Sequence, residues 1–324
     1  MLVRLINSRH LLGYLLLVMI CLLQSLVTFF FKEQDLGIAG MPLFEFLKFI
    51  SLNSHFIHSL LWAMVVFITA IWLSKISEKY RLFEKKSLMP AFIFILISGT
   101  FSNFHQYNPV IFSAIFLLLL VNILYSTYRK EFIFPKAFDA GFAVGMASLF
   151  YFPTIIFLGL IWIGFFILRA FNWREWVIPV LGCFVPYFFA FTYFYWMDDL
   201  PGLFKNMWIP VNLENSWTGF TLAEKTVIGI TGLLLIVSVS GFMKKISSGN
   251  IAKQKYFLII LWYIALVIVS AIVFPISIIS HLFLLVMPVS LIITSYLDTI
   301  KKNWYLELII WTMIISVVLK FFPV

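Results

Sequence analysis

Long apolar runs follow one another along almost the whole chain, and short polar hinges separate them. A helix needs about 20 mostly apolar residues to cross the roughly 30 Å hydrocarbon core of a bilayer. Inside lipid every backbone N–H and C=O group must be paired, so helices and closed barrels are the structures that can span it. The alternating segments of about ten residues that a barrel requires are absent from this sequence. We therefore predict an all-α, polytopic membrane protein.

The composition agrees with that class, since 63% of the 324 residues are hydrophobic and 11% are charged. A soluble protein has about 25% charged residues. We expect about eleven transmembrane helices, over residues 10–31, 55–74, 88–103, 110–127, 137–151, 153–170, 176–196, 223–242, 256–275, 279–297 and 303–321. No internal repeat or low-complexity linker interrupts the series, so residues 1–324 are predicted to form a single transmembrane domain.

The distribution of Lys and Arg predicts the orientation. With the N-terminus in the cytoplasm, 18 of the 23 basic residues lie in hinges on the cytoplasmic side. Basic residues accumulate in cytoplasmic loops of membrane proteins, and the C-terminus is then expected outside. The net charge of +9 follows from these hinges, so it does not indicate a nucleic-acid partner.

Two long loops, 32–54 and 197–222, are predicted on the outer side. Within the first, residues 42–51 mix Phe and Leu with Glu45 and Lys48 and are too short to span. Such a segment is expected to lie flat at the interface as an amphipathic helix, with Pro42 suited to its first turn. An irregular loop is the alternative.

Half of the fourteen acidic residues and four of the five histidines are expected on the outer side. Glu33 and Asp35 follow the first predicted helix directly. Two carboxylates at that spacing can share a cation or a proton, and a desolvated one can act as a general base. A solvated helix end is the alternative interpretation.

Other outer polar residues have similar dual interpretations. His55 and His58 are three residues apart on one helical face, which suits a metal or hydrogen bonds to a phosphate or a loop carbonyl. His105, Gln106 and Asn108 belong to a donor-rich hinge that a simple turn before Pro109 also explains. The Asp198-Asp199 pair resembles a metal-binding acid pair, and an Asx-type turn before Leu200 explains it equally well.

Motifs for ATP binding, dinucleotide binding and zinc proteolysis are absent from the sequence. ATP-driven functions therefore receive little support.

The segment 138–153, which begins Phe138-Asp139-Ala140-Gly141, and the segment Phe171-Asn172-Trp173-Arg174-Glu175-Trp176 resemble a family of uncharacterised inner-membrane proteins from Bacteroidota. The likeness covers most of the chain and implies a multi-pass protein of the bacterial inner membrane. Some members are labelled carotene monooxygenases. That label would require an iron site with several histidines, which no helix here offers.

The Ala-Gly-x5-Ala run at 140–147, the aliphatic helix after it and the acids after helix one are distantly similar to the GT-C glycosyltransferase fold. That resemblance implies a polyprenyl-linked sugar donor, an acid in the first outer loop and a flat helix in the same loop. Glu33 or Asp35 and residues 42–51 match by position. The sequence departs from the pattern at Phe150-Tyr151-Phe152, where related enzymes often have a basic residue, and by having no soluble outer domain.

The resulting hypothesis is transfer of a sugar from a polyprenyl-phosphate donor to an envelope acceptor on the outer face. Asp35 or Glu33 would act as the base. The residues that would hold the diphosphate or the sugar are His55, His58, His105, Gln106, Asn108, Lys205 and His281. A divalent cation at Asp35, Asp198 or Asp199 is an optional cofactor. The alternatives are a non-catalytic accessory or scaffold subunit of an envelope complex, with envelope proteins as partners, and a lipid or solute transporter.

Overall fold

A computed structural model describes residues 11–30, 41–50, 55–83, 87–100, 108–169, 172–207, 222–248, 250–274, 278–300, 307 and 311. Within these residues every regular element is helical. The predicted all-α class is therefore confirmed for the part of the chain that the structure describes.

Twelve α-helices occur in this part of the chain. They are α1 (Leu11–Phe30), α2 (Pro42–Ile50), α3 (His55–Lys79), α4 (Met89–Thr100), α5 (Val110–Ser126), α6 (Phe134–Phe150), α7 (Leu158–Leu168), α8 (Trp173–Trp196), α9 (Leu200–Met207), α10 (Leu222–Ser248), α11 (Ile251–Val273) and α12 (Ile278–Leu297). A 3₁₀ helix, Phe152–Phe157, connects α6 to α7.

Ten of the eleven apolar segments predicted from the sequence coincide with helices, and the flat segment 42–51 is α2. The eleventh segment, 303–321, lies outside the described residues apart from 307 and 311. Inside the outer loop 197–222 the structure adds a short helix, α9, that the sequence did not predict.

The number of helices that can cross a bilayer unaided is smaller than the predicted eleven. In the described part of the chain four are long and apolar enough: Ser59–Lys79, Trp173–Trp196, Ile251–Val273 and Ser280–Leu297. Five further apolar stretches have 10–17 residues, and two of them, Leu12–Ser25 and Ile228–Val239, lie within the longer helices α1 and α10. At 1.5 Å per residue, a helix of about 17 residues reaches roughly 25 Å and falls short of the hydrocarbon core. Hydropathy located the segments, whereas the short folded lengths of α4, α5 and α7 limit how many helices span alone.

The centre of the helix bundle is formed by α4 and α12. Residues 91–97 of α4 are each at most 5% exposed, and most of α12 is equally enclosed. By contrast, α8 lies at the periphery, where Phe184, Phe188 and Phe189 are more than half exposed. Large apolar side chains on the outside of a bundle are unfavourable in water and suit a lipid environment. The described part of the chain thus fits a membrane protein.

Hinges rich in Lys and Arg meet at one end of the bundle. Tyr80 after α3, Tyr125 at the end of α5 and Tyr256 at the start of α11 are in ring contact. At the same ends of the neighbouring helices, Arg169 after α7 donates to the Glu131 carbonyl and pairs with Glu175 at the start of α8. Among the described residues, the connections after α3, α5 and α7 and the start of α11, which the charge count assigned to one side, thus lie together. That this end faces the cytoplasm stays a prediction.

Small residues allow α6 and α8 to approach closely. Gly141 and Gly145 are four residues apart on α6, as in the small-xxx-small pattern of membrane helix pairs. A Cβ atom at Gly141 would collide with the carbonyl of Pro179, and one at Gly145 would lie 2.7 Å from the carbonyl oxygen of Cys183. The two backbones are therefore in direct contact, and this contact positions the site described next.

Candidate functional site

An apolar groove of about 820 Å³ lies between α2, α6 and α8, at the end of the bundle opposite the basic hinges. Its lining residues are Pro42, Leu43, Glu45 and Phe46 from α2, Phe142, Met146 and Leu149 from α6, Pro186, Phe189, Ala190, Tyr193 and Phe194 from α8, and Met197 and Asp199 from the turn after α8. We call this site the α2 groove. Its volume is in the range of binding pockets for small molecules.

Local sequence explains why α2 forms and where it packs. Pro42 occupies the first helical position, where its missing N–H is not needed. The Met41 carbonyl accepts from the N–H groups of Phe44 and Glu45, at 2.9 and 3.1 Å. Phe44 is buried and contacts the Phe112 ring of α5, with centroids 6.2 Å apart. The buried face anchors α2 to the bundle, whereas Phe46 on the opposite face is exposed.

A second small core supports the groove from the side of α9. Met41, Leu149 and Leu203 are each at most 3% exposed and pack together. Leu203 comes from α9, so this helix is held by its apolar contact with α2 and α6. Beneath the groove, the Tyr187 hydroxyl donates to the Ser148 hydroxyl oxygen at 2.8 Å and ties α8 to α6.

Two carboxylates, Glu45 and Asp199, are the charged residues of the lining, and both are exposed. Asp199 follows a tight turn in which Asp198 has a left-handed φ of 55°. The Asp199 N–H donates to the Phe194 carbonyl at 3.1 Å, and the residue directly precedes α9. An apolar trough with carboxylates at its rim suits a ligand with a long apolar part and a polar end.

His281, predicted to hold phosphate or sugar, is 4% exposed and lies inside the bundle on α12. Its Nδ1 atom is 3.4 Å from the Tyr151 hydroxyl, and the two rings are in edge contact at 5.8 Å. His281 is not part of the α2 groove lining. The structure therefore separates this residue from the groove.

Asn108, another predicted substrate contact, is 1% exposed at the start of α5. Its Oδ1 atom accepts from the Val110 N–H at 3.1 Å, which is a turn bond of the kind expected before a proline-initiated helix. The amide nitrogen of Asn108 has no hydrogen-bond partner among the described residues.

The remaining predicted residues are covered only in part. Glu33, Asp35, His105 and Gln106 lie outside the described residues. For His55 and His58 in the first turn of α3, and for Lys205 in α9, the structure describes the helical backbone alone. Their proposed roles stay predictions.

Among the described residues, no three His, Cys, Asp or Glu side chains lie close enough together to hold a metal ion. Asp198 has a left-handed φ and Asp199 directly precedes α9. The metal-binding and the Asx-turn interpretations of the acid pair both stay predictions. A cation shared with Asp35 stays a prediction.

Sequence reasoning did not place Glu45 and Asp199 at one site, because 154 residues separate them in the chain. Each had a local signal, namely an amphipathic segment for Glu45 and a polar turn for Asp199. What joins them is the packing of α2 and α9 on the ends of α6 and α8.

The fold and the groove define a class of protein: an all-α protein whose apolar helices suit a bilayer and enclose an apolar groove near one end. The chain belongs to a family of unknown function, DUF6427, whose model matches residues 19–323. No curated protein and no solved structure matches the chain. Membership of a family without an assigned function is thereby confirmed, whereas the Bacteroidota origin and the GT-C likeness stay predictions.

Proposed function

We propose that this protein is a GT-C-like membrane glycosyltransferase that seats the polyprenyl chain of its sugar donor in the α2 groove. The observation that supports the proposal most directly is the groove itself, about 820 Å³ of mainly apolar space beside a short amphipathic helix. The shorter apolar helices would pack in the bilayer beside the four long ones.

The proposed base lies only a few residues before α2 in the sequence. Pro42 comes seven residues after Asp35, a separation that an extended chain covers with about 25 Å. In the proposed reaction the acceptor oxygen attacks the anomeric carbon, and the bond from that carbon to the lipid phosphate breaks. Asp35 or Glu33 takes the hydroxyl proton, and the phosphate leaves with the electron pair.

The charges at the rim indicate how the donor would bind. A lipid phosphate beside Glu45 and Asp199 would be repelled, since like charges a few ångströms apart are unfavourable. A divalent cation bridging a carboxylate and the phosphate oxygens would remove that repulsion, because hard cations prefer oxygen ligands. Asp198 and Asp199 are therefore proposed cation ligands, with Asp35 as a third. The donor sugar would then lie beyond the rim, toward the acceptor.

The catalytic part of the proposal is tested by the double variant Asp35→Asn, Glu33→Gln, with Glu131→Gln as a matched control at the opposite end. Glu131 is exposed and lies before α6, far from the groove lining. Membrane glycoconjugates of cells that carry each variant are compared by mass spectrometry. Loss of one product class in the double variant alone supports catalysis, and an unchanged product profile rejects it.

The lipid site is tested separately by filling the groove. Ala190 lines it, and Ala190→Trp should displace a bound chain, whereas Val180→Trp on the exposed side of the same helix should not. Lipids that co-purify with each variant are identified by native mass spectrometry. Equal retention of a long-chain lipid by both variants would show that the α2 groove is not its binding site.

A second candidate function is a non-catalytic subunit of an envelope complex. It is favoured by the face of α8 that bears the exposed side chains of Phe184, Phe188 and Tyr195. Such a face suits a partner helix as well as lipid. Cross-linking from position 188 to one fixed protein, together with full function of the double acid variant, would support this candidate over the transferase.

A further inference from the structure

At the basic end of the bundle, opposite the α2 groove, four tyrosines form a continuous set of ring contacts. Tyr125 and Tyr256 have centroids 4.5 Å apart, and each hydroxyl donates to the other's backbone carbonyl, at 3.2 and 3.4 Å. Tyr80 contacts both rings at 5.2 and 5.4 Å, and Tyr128 contacts Tyr256 at 5.9 Å. Three separate helix ends are thus joined by one aromatic platform.

Cations surround this platform. The Arg129 guanidinium and the Lys255 ammonium lie 5.3 and 5.7 Å from the centre of the Tyr128 ring, and Lys79 lies 5.1 Å from that of Tyr80. These distances are within the range of cation–π attraction. Arg129 has a left-handed φ of 55° in the turn after α5. We call Lys79, Arg129, Lys130, Lys136 and Lys255 the basic cluster.

Lys136 shows that the positive charges lie close to one another. Its ammonium group donates to the carbonyl and the hydroxyl oxygen of Ser126, at 2.8 and 2.6 Å. Partial burial, with Lys130 and Lys79 nearby, lowers the pKa of Lys136 to about 8. A lysine beside two other cations is in a strongly positive environment, which favours the arrival of an anion.

Among the residues that the structure describes, the basic cluster has no carboxylate partner. Over the described ranges none of its five members forms an ion pair, whereas Arg169 at the same end pairs with Glu175 at 3.3 Å. Uncompensated cations beside tyrosine rings at a helix-bundle end form a favourable environment for phosphate headgroups. The cluster differs in charge, lining and position from the α2 groove.

We propose that the basic cluster binds the phosphate group of an anionic ligand, with Arg129 and Lys255 held over Tyr128 as its principal contacts. Arginine and lysine supply the donors, and the tyrosine ring holds them in place. Two sources offer this chemistry, an anionic phospholipid headgroup and a free phosphate. The site is independent of the proposed transferase function.

The test uses the purified full chain in detergent and native mass spectrometry with added phosphatidylglycerol or phosphatidylcholine of the same acyl chains. The variant is Arg129→Gln, Lys255→Gln. The control is Arg174→Gln, Lys253→Gln, which removes the same charge from the same end; Arg174 lies against Trp173 instead. Each cation near a phosphate surface contributes about fivefold to binding, so the double variant should bind phosphatidylglycerol about 25-fold more weakly.

A second pair of variants separates the role of the ring from that of folding. Tyr128→Phe keeps the aromatic face and should bind like the wild type, whereas Tyr128→Leu should bind several-fold more weakly. Inorganic phosphate is then added to the loaded protein. If inorganic phosphate displaces phosphatidylglycerol, the phosphate group alone is sufficient for binding. If it does not, the ligand of the basic cluster is the lipid headgroup. Equal losses in the variant and the control, or equal binding of phosphatidylcholine, would overturn the proposal.

Discussion

Replacement of Gly141 by alanine tests whether the direct backbone contact of α6 and α8 supports the bundle. The added methyl group would collide with the Pro179 carbonyl, which is part of the backbone and cannot rotate away. Overpacking of a tight contact costs about 1–3 kcal/mol, and the upper part of that range applies where backbone must move. Alanine recovers about 1 kcal/mol through its higher helix propensity. The expected net loss in the free energy of unfolding is about 2 kcal/mol.

The same chain offers a matched control at Gly229 in α10. This glycine is also helical, and no atom of the described residues comes within 4 Å of its Cβ position. Gly229→Ala should therefore be neutral or stabilise by up to about 1 kcal/mol. Each variant adds the same single methyl group to the wild type, so any general effect of alanine in a membrane helix cancels between them.

The assay is denaturant unfolding of the purified protein in mixed micelles, followed by tryptophan fluorescence. We expect the Gly141→Ala midpoint to fall and the Gly229→Ala midpoint to remain at or above that of the wild type. If Gly141→Ala is as stable as Gly229→Ala, α6 and α8 do not meet at Gly141, and the geometry derived for the α2 groove fails with it.

Two further predictions concern the basic end. Glu175 is 2% exposed and pairs with the mostly enclosed Arg169, so Glu175→Gln should destabilise the protein by about 3 kcal/mol because it leaves that cation unmatched. Exposed Arg174→Gln should change stability by less than about 0.5 kcal/mol in the same unfolding assay. Because the pKa of Lys136 is lowered to about 8 by burial and by Lys130 and Lys79, this residue opposes folding below pH 8. That penalty disappears as the pH rises from 8 toward 10.5, the pKa of a lysine in the unfolded chain. Phosphate binding at the basic cluster should weaken over the lower part of the same pH range, because Lys136 loses its proton there. Lys136→Gln should abolish the weakening of phosphatidylglycerol binding that begins near pH 8. An unchanged pH profile in this variant would contradict the assignment of that weakening to Lys136.

Some features of the folded protein could not be predicted from local sequence patterns. The sequence Leu200-Pro201-Gly202 resembles a turn, and α9 was missed for that reason. The helix forms because Leu203 packs against Met41 and Leu149, contacts that span 162 residues of the chain. Similarly, His281 and Asn108 are polar residues at helix ends in the sequence, yet both are almost fully enclosed in the folded bundle.

By itself the sequence determined the all-α class, the position of nearly every apolar helix and the common location of those basic hinges that the structure describes. It could do so because transfer into lipid is decided segment by segment, from the hydrophobicity and charge of each run. The tertiary structure alone decided which helices touch, that Glu45 and Asp199 share a groove, and that Arg129 and Lys255 meet over Tyr128. Helices in lipid select their neighbours by shape, through residues such as Gly141 and Pro179, and hydropathy contains no information about shape.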